Sequence, residues 1–473
     1  METLSRIRDL FVRQPIFRDG DAEPRVYFDL TDFVNPVPAL AITDIASTLV
    51  DLAPIAQCDA IVSIADRCCG AIAHEASRIT ELPYTLANWY PEGMPGEVEV
   101  EACKGFSGNG QVWLNGLKRN RRVVVLLDIL RSGDTAANLV RACQRAGCQV
   151  LAVCFAAELV EFEGRQKQAE AFDGIQVNTA VRVHVRGERT SELRDSEAIF
   201  GPSAAQMLTR KLREGAPGAN AIDTAKVEAA LNDPNCTVAQ LRQATATKPD
   251  PTKTYRQMKD ADVQRLTAHI TNAFVGIPIT PNEKLGGYPY SFFQLTDFAP
   301  MMTPDIVEAM ADLMVHFGAF SRCDVIVAEA DRGGAPIAQA VARRTKLPFV
   351  LANWYPLGEG MGATTQASVG FSGDGSMVLN GVRRGDRCIF VDDMLSSGGT
   401  AEGVIGSIVK LGGIPLQGIF ASEKLYPPKA GSAMPHRKGK ERLQGPYPHF
   451  EVITLCQFIA EGSRTTAPPH PIG

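Results

Sequence analysis

The sequence predicts an α/β protein made of two similar domains, each a mostly parallel sheet flanked by helices. Three observations carry that prediction. First, the chain repeats itself. LeuThrAspPhe at 30–33 and 295–298, AlaAspArg at 65–67 and 330–332, and GlyPheSerGlyXaaGly at 105–110 and 370–375 all recur at an offset of 265 residues. Self-similarity of this kind, sustained without a gap from about 30 to 158, is a duplication. Second, apolar strand-like runs alternate with stretches of helical spacing in each copy, the pattern of a parallel sheet covered by helices. Third, 473 residues that are 45% hydrophobic and 21% charged suit two or three globular domains, not one and not a disordered chain.

Each copy reads as helix, strand, helix, strand, hairpin, strand, helix, strand. In the second copy, apolar residues recur at helical spacing over 305–314, 335–344 and 400–412. Continuous apolar runs at 323–330, 349–353 and 388–393 are the buried strands between them. The expected boundaries are 1–194 for the first copy, 195–270 for a helical linker without a counterpart, and 271–473 for the second copy. Short helices are expected in the linker at 225–231 and 237–244. The tail beyond Phe458 is expected to be mobile.

Composition excludes several classes of function. Forty-eight basic against fifty-three acidic side chains give a net charge of −5. That balance argues against a nucleic-acid partner held by a broad basic face. No apolar run reaches the roughly 18 residues of a membrane span, and the first residues lack a secretory pattern. Eleven cysteines are scattered with no CxxC pair, so disulfides and structural zinc are not expected and a reduced cytoplasmic compartment is. Seven histidines show no ligand spacing, so a catalytic metal bound by protein side chains is not expected.

The most informative segment is IlePheValAspAspMetLeuSerSerGlyGlyThr, 389–400. An apolar strand ends in two carboxylates, Asp392 and Asp393, and a small-residue loop then opens a helix. Ser396, Ser397, Gly398, Gly399 and Thr400 offer backbone N–H groups and hydroxyls at a helix start, a cradle for a phosphate monoester. The GxxxxGK[ST] pattern of a nucleotide P-loop is missing. Carboxylates beside such a cradle suit a sugar phosphate, accepting hydrogen bonds from ribose hydroxyls and favouring positive charge at the anomeric carbon. The bland alternative is a strand end followed by a polar turn.

This segment resembles the signature of the type I phosphoribosyltransferases, closest in spacing to the adenine and xanthine branch, and the resemblance covers both copies. It implies tandem domains of that fold, each with a hood, and transfer of phosphoribosyl from 5-phosphoribosyl-1-diphosphate (PRPP) to a purine or purine-like base with release of pyrophosphate. Mg²⁺ is the implied cofactor, held mainly by PRPP oxygens. By the same resemblance Ala330, Asp331, Arg332 and Gly333 form a pyrophosphate loop, Arg332 being alternatively a surface-turn arginine. Lys424 and Tyr426, in GlyIlePheAlaSerGluLysLeuTyr, face the base; Lys424 is alternatively a solvated side chain. Related enzymes generally work as dimers, so the implied assembly is an intramolecular pair, with or without further homo-oligomers.

The copies diverge where chemistry is expected. Asp392 is answered by Leu127, Gly399 by Asp134, Gly333-Gly334 by Cys68-Cys69, and Lys424 by Leu159. A carboxylate in place of Gly399 repels phosphate, with Arg131 a candidate to neutralise it. The working site is therefore expected in the second copy. That copy departs from the family too. No basic residue lies between Ala352 and Gly375, and the base-side glutamate of the adenine branch is missing. AsnTrpTyrPro, present in both copies, serves either packing or chemistry. Lys429, Arg437, Lys438, Lys440 and Arg442 either supply the missing charge or form a solvated surface loop. The rival expectation is a PRPP- or nucleotide-sensing regulator that keeps the pocket without the chemistry; PRPP synthesis is a weaker third.

Overall fold

The computed structural model describes residues 2–17, 23–89, 97–100, 111–192, 255, 257–282, 288–354, 363–369, 373–428 and 434–468. The two expected linker helices, the GlyPheSerGly motif of the first copy, Cys103, Cys236, Lys429 and the last five residues lie outside them. The chain divides into two compact units, one around each of two six-stranded sheets.

The strands of the first sheet are β1 (Ala60–Ile64), β2 (Tyr84–Ala87), β3 (Arg122–Leu130), β4 (Gln149–Leu159), β5 (Gln176–His184) and β6 (Ser191–Glu192), in the order β6-β5-β4-β3-β1-β2. Those of the second are β7 (Val325–Glu329), β8 (Phe349–Ala352), β9 (Arg387–Leu395), β10 (Ile414–Leu425), β11 (Glu451–Glu461) and β12 (Arg464–Thr466), in the order β8-β7-β9-β10-β11-β12. All pairings are parallel except the last in each sheet, β5 with β6 and β11 with β12. Every residue of β1 and β7 is buried, as expected of strands covered on both faces.

The 265-residue offset seen in the sequence recurs in the backbone. The helices Ala39–Leu52, Cys69–Thr80 and Asp134–Arg145 match Pro304–Phe317, Gly334–Thr345 and Gly399–Lys410 end for end. Pairing slips by one residue between Val123 and Val124 and again between Cys388 and Ile389. Left-handed residues are paired too: Phe33 and Phe298 have φ of 50° and 55°, Gly133 and Gly398 of 80° and 81°. The expected hairpins are Val98–Val100 with Val112–Leu114, and Ala363–Val369 with Gly373–Leu379.

Two expectations are corrected. The tail beyond Phe458 is built into the sheet through Thr466. Thr465 is buried, its N–H donates to Ile277 O and its Oγ1 accepts the Ile277 N–H. The expected boundary at 270/271 falls inside a helix, Asp260–Phe274. That helix buries Leu266, Ile270 and Phe274, and Phe274 stacks on Phe458 of β11 at 5.8 Å. Its last turn is thus core, not linker. Among the described residues no helix is long and apolar enough to cross a membrane. The nine described cysteines are free and buried.

Candidate active site

The unusual residues collect beyond the carboxyl ends of β7, β9 and β10, where open α/β sheets place ligands. Asp392 and Asp393, both buried, lie in the last residues of β9, and Asp392 Oδ1 accepts the Asp393 N–H at 3.0 Å. Ser422 Oγ of β10 donates to the Asp393 carbonyl at 3.3 Å. The loop that follows ends on Gly398, whose φ of 81° starts the helix Gly399–Lys410. A side chain there is strained, and its Cβ would stand 3.0 Å from Gly439 O. The first turn of this helix carries no side-chain cap, leaving N–H groups for an anion.

The loop after β7 brings a third carboxylate. Asp331, Asp392 and Asp393 each offer an oxygen within 4.8 Å of the others. Asp331 Oδ1 accepts the Gly334 N–H at 2.6 Å, yet burial outweighs this bond and pushes its carboxyl up to about 6. Histidine spacing held no hint of this cluster; only the fold brings residues 331 and 392 together. Hard carboxylate oxygens in this arrangement fit Mg²⁺.

Arg332, alternatively read as a surface-turn arginine, is not on the surface. It is 4% exposed, reaches the Asp297 carbonyl at 3.4 Å and carboxylate at 3.9 Å, and lies over the Phe298 ring. LeuThrAspPhe and AlaAspArg are therefore one structural unit, which explains their joint retention. Arg67 and Asp32 form the same 3.9 Å pair in the first copy. The Trp354 of AsnTrpTyrPro is tied to the site, its indole donating to Glu329 at the end of β7.

Lys424 and Tyr426 leave β10 together, with the Lys424 ammonium 5.6 Å from the Tyr426 ring centroid. The Tyr426 hydroxyl is 2.9 Å from Ser396 Oγ, so the hood is tied to the phosphate-type loop. Of the basic residues expected nearby, Arg437 is a structural cation. It donates to the fully buried Glu423 at 2.9 Å, and Thr454 and Gln457 share that carboxylate. Arg442 pairs with Glu402 at 2.7 Å. Lys438 lies over the Tyr426 ring at 5.4 Å. Sequence reading missed Glu423, although its counterpart Glu158 stands at the same offset and is likewise buried, against Arg165 and Arg182.

No protein-family model matches the chain. Curated relatives do. The hypoxanthine/guanine phosphoribosyltransferase of Methanobacterium lacus is 34% identical over 142 residues, 30% of this chain and 72% of that protein. The chain belongs to the type I phosphoribosyltransferases. The similarly named protein of Methanobacterium paludis is 36% identical over 129 residues, 27% of this chain and 66% of its own. That of Methanosarcina mazei is 27% identical over 198 residues, 42% and 98% respectively. Among solved structures, adenine phosphoribosyltransferase from Rhodothermus marinus aligns at TM-score 0.32 and 18% identity, covering 41% of this chain and 99% of that one.

At the positions that answer to these site residues, the first copy differs. Asp134 enters at the first turn of its helix and is engaged from both sides, by Ser132 Oγ and Gln168 Nε2, each at 2.7 Å. Arg131 pairs with Glu23 at 2.7 Å and lies over Phe162. Cys68 and Cys69 fill the loop after β1, their thiols pushed well above the ordinary range by burial. Asp128, without a neighbouring aspartate, has a buried Oδ2 that meets no partner, and burial raises its carboxyl. Ile64 stands where the second copy has Glu329, and the buried Trp89 indole nitrogen meets no acceptor among the described residues.

Proposed function

We propose that the second copy transfers the 5-phosphoribosyl group from PRPP to a purine or purine-like base and releases pyrophosphate, while the first copy does not catalyse. The observation that carries this reading is the meeting of Asp331, Asp392 and Asp393 beside the SerSerGlyGlyThr loop. The N–H groups and hydroxyls of Ser396–Thr400 hold the 5-phosphate. Asp392 and Asp393 accept from the ribose hydroxyls and oppose the positive charge that grows at the anomeric carbon. The bond from that carbon to the diphosphate breaks with its electrons leaving on pyrophosphate. A ring nitrogen of the base forms the new bond, and its proton goes to solvent.

The loop Ala330–Gly333 faces the diphosphate, with Arg332 fixing its shape through Asp297. Asp331, Asp392 and Asp393 would hold Mg²⁺ together with PRPP oxygens; the ion supplies charge neutralisation to the departing diphosphate. Lys424, beside the Tyr426 ring, donates to an exocyclic oxygen of the base, and the curated relatives are named for hypoxanthine and guanine, which supports a 6-oxopurine as acceptor. The first copy serves as the fixed intramolecular partner of the second, in the cytoplasm.

A second reading, a PRPP- or nucleotide-sensing regulator, is favoured by the burial of Arg332 against Asp297. One experiment separates the two. The purified chain is incubated with PRPP, Mg²⁺ and a panel of bases, and products are read by mass spectrometry. A base-dependent nucleotide supports transfer and names the acceptor. Measurable PRPP binding without product from any base supports the sensor.

A further inference from the structure

The two copies share a contact that their sequence offset does not reveal. A Cβ at Gly439 would stand 2.6 Å from Ser396 O and 2.8 Å from Leu395 Cδ1. A Cβ at Gly164 would stand 2.2 Å from Arg131 O and 2.9 Å from Leu130 Cδ1. Arg131 and Leu130 are the counterparts of Ser396 and Leu395, so Gly164 and Gly439 occupy one position, the point where the hood rests on the loop. The reverse contacts agree: a Cβ at Gly398 would meet Gly439 O at 3.0 Å, and one at Gly133 would meet Gly164 O at 2.9 Å. Only a residue without a side chain lets the two backbones approach this closely.

The residue before that glycine therefore adjoins the loop in both copies. It is Lys438 in the second and Glu163 in the first. Next to SerSerGlyGlyThr the residue is a cation; next to ArgSerGlyAspThr, where Asp134 supplies its own carboxylate, it is an anion. Lys438 is exposed and on a flexible stem, with its ammonium over the ring of Tyr426, the residue whose hydroxyl meets Ser396. Of its basic neighbours, the two arginines Arg437 and Arg442 are committed to Glu423 and Glu402.

We propose that Lys438 is a phosphate-binding residue of the second copy, closing from the hood onto the phosphate seated in the Ser396–Thr400 loop. The inference rests on the reading of that loop as a phosphate site. It assigns to the hood positive charge that the segment after β8 lacks. An ammonium donating to a phosphate oxygen strengthens binding without taking part in bond breaking, so its effect falls on affinity and not on turnover.

The test is calorimetric titration of the full chain with ribose 5-phosphate, in wild type, Lys438→Ala, Lys438→Glu and Lys438→Arg. Wild type is expected to bind, Lys438→Ala to bind about tenfold more weakly, Lys438→Glu more weakly still, and Lys438→Arg close to wild type. In the transfer assay KM for PRPP should rise with kcat nearly unchanged. Equal affinities of wild type and both Lys438→Ala and Lys438→Glu overturn the role of Lys438 while leaving the loop assignment intact. No binding of ribose 5-phosphate by wild type overturns both. Loss in Lys438→Arg equal to that in Lys438→Ala shows that the stem packs and the charge does not bind, which also rejects the proposal.

Discussion

Asp393 and Asp128 occupy the same strand position in opposite circumstances. Asp393 stands in a cluster with two other carboxylates, whereas Asp128 has a buried oxygen with no partner. Asp393→Ala is therefore expected to lower turnover at least about a hundredfold, and Asp128→Ala to leave most of it, as read by initial rates. Equal losses would reject a division of labour. Asp331 supplies a pH signature. Its carboxyl lies at about 6 in the folded protein against 3.8 ordinarily, so between about pH 4 and 6 the folded state holds a proton that the unfolded chain has released. Stability is therefore lowered by the buried carboxylate above about pH 6 and recovered as pH falls towards 4. In metal-free buffer Asp331→Asn should melt above wild type at pH 7, with the gap closing towards pH 4; a gap that widens on acidification contradicts this. The two strand-end aspartates and the loop were legible in sequence because each is local. Arg332 was not, since its partner Asp297 lies 35 residues earlier and only the fold shows the guanidinium turned inward.

At the level of elements, the hood depends on one buried pair. Glu423 has no exposed side-chain surface and Arg437 only 11%. Removing one member of a buried pair strands the other, a loss of about 3–5 kcal/mol. Glu423→Ala should thus lower the melting temperature of the full chain markedly, whereas Arg442→Ala, which breaks a pair 35% exposed on both sides, should cost less than about 1 kcal/mol. Similar shifts in differential scanning fluorimetry would refute the distinction. Helices and core strands were legible to within a few residues because 304–317, 334–345 and 399–410 keep a clear apolar period. The outer strands β5, β6, β11 and β12 were not. Gln176–His184 is only partly buried and alternates weakly, and the repeat alignment had already ended before it.

Across the molecule, two copies of one fold carry one cluster of three carboxylates among the described residues. A single PRPP per 473-residue chain is expected at saturation in equilibrium dialysis. Two would mean that Asp134, held by Ser132 and Gln168, leaves its loop open to phosphate after all. The duplication was legible down to single residues, and of the linker expected between the copies residues 195–254 and 256 lie outside the described residues. The orphaned indole of Trp89 distinguishes the copies. A buried N–H without an acceptor costs about 1–3 kcal/mol, a poor choice for a residue kept only to fill space. In the other copy the same tryptophan has its carboxylate. At this position the two copies thus differ by one hydrogen-bond acceptor, Glu329 at the end of β7 against Ile64 at the end of β1.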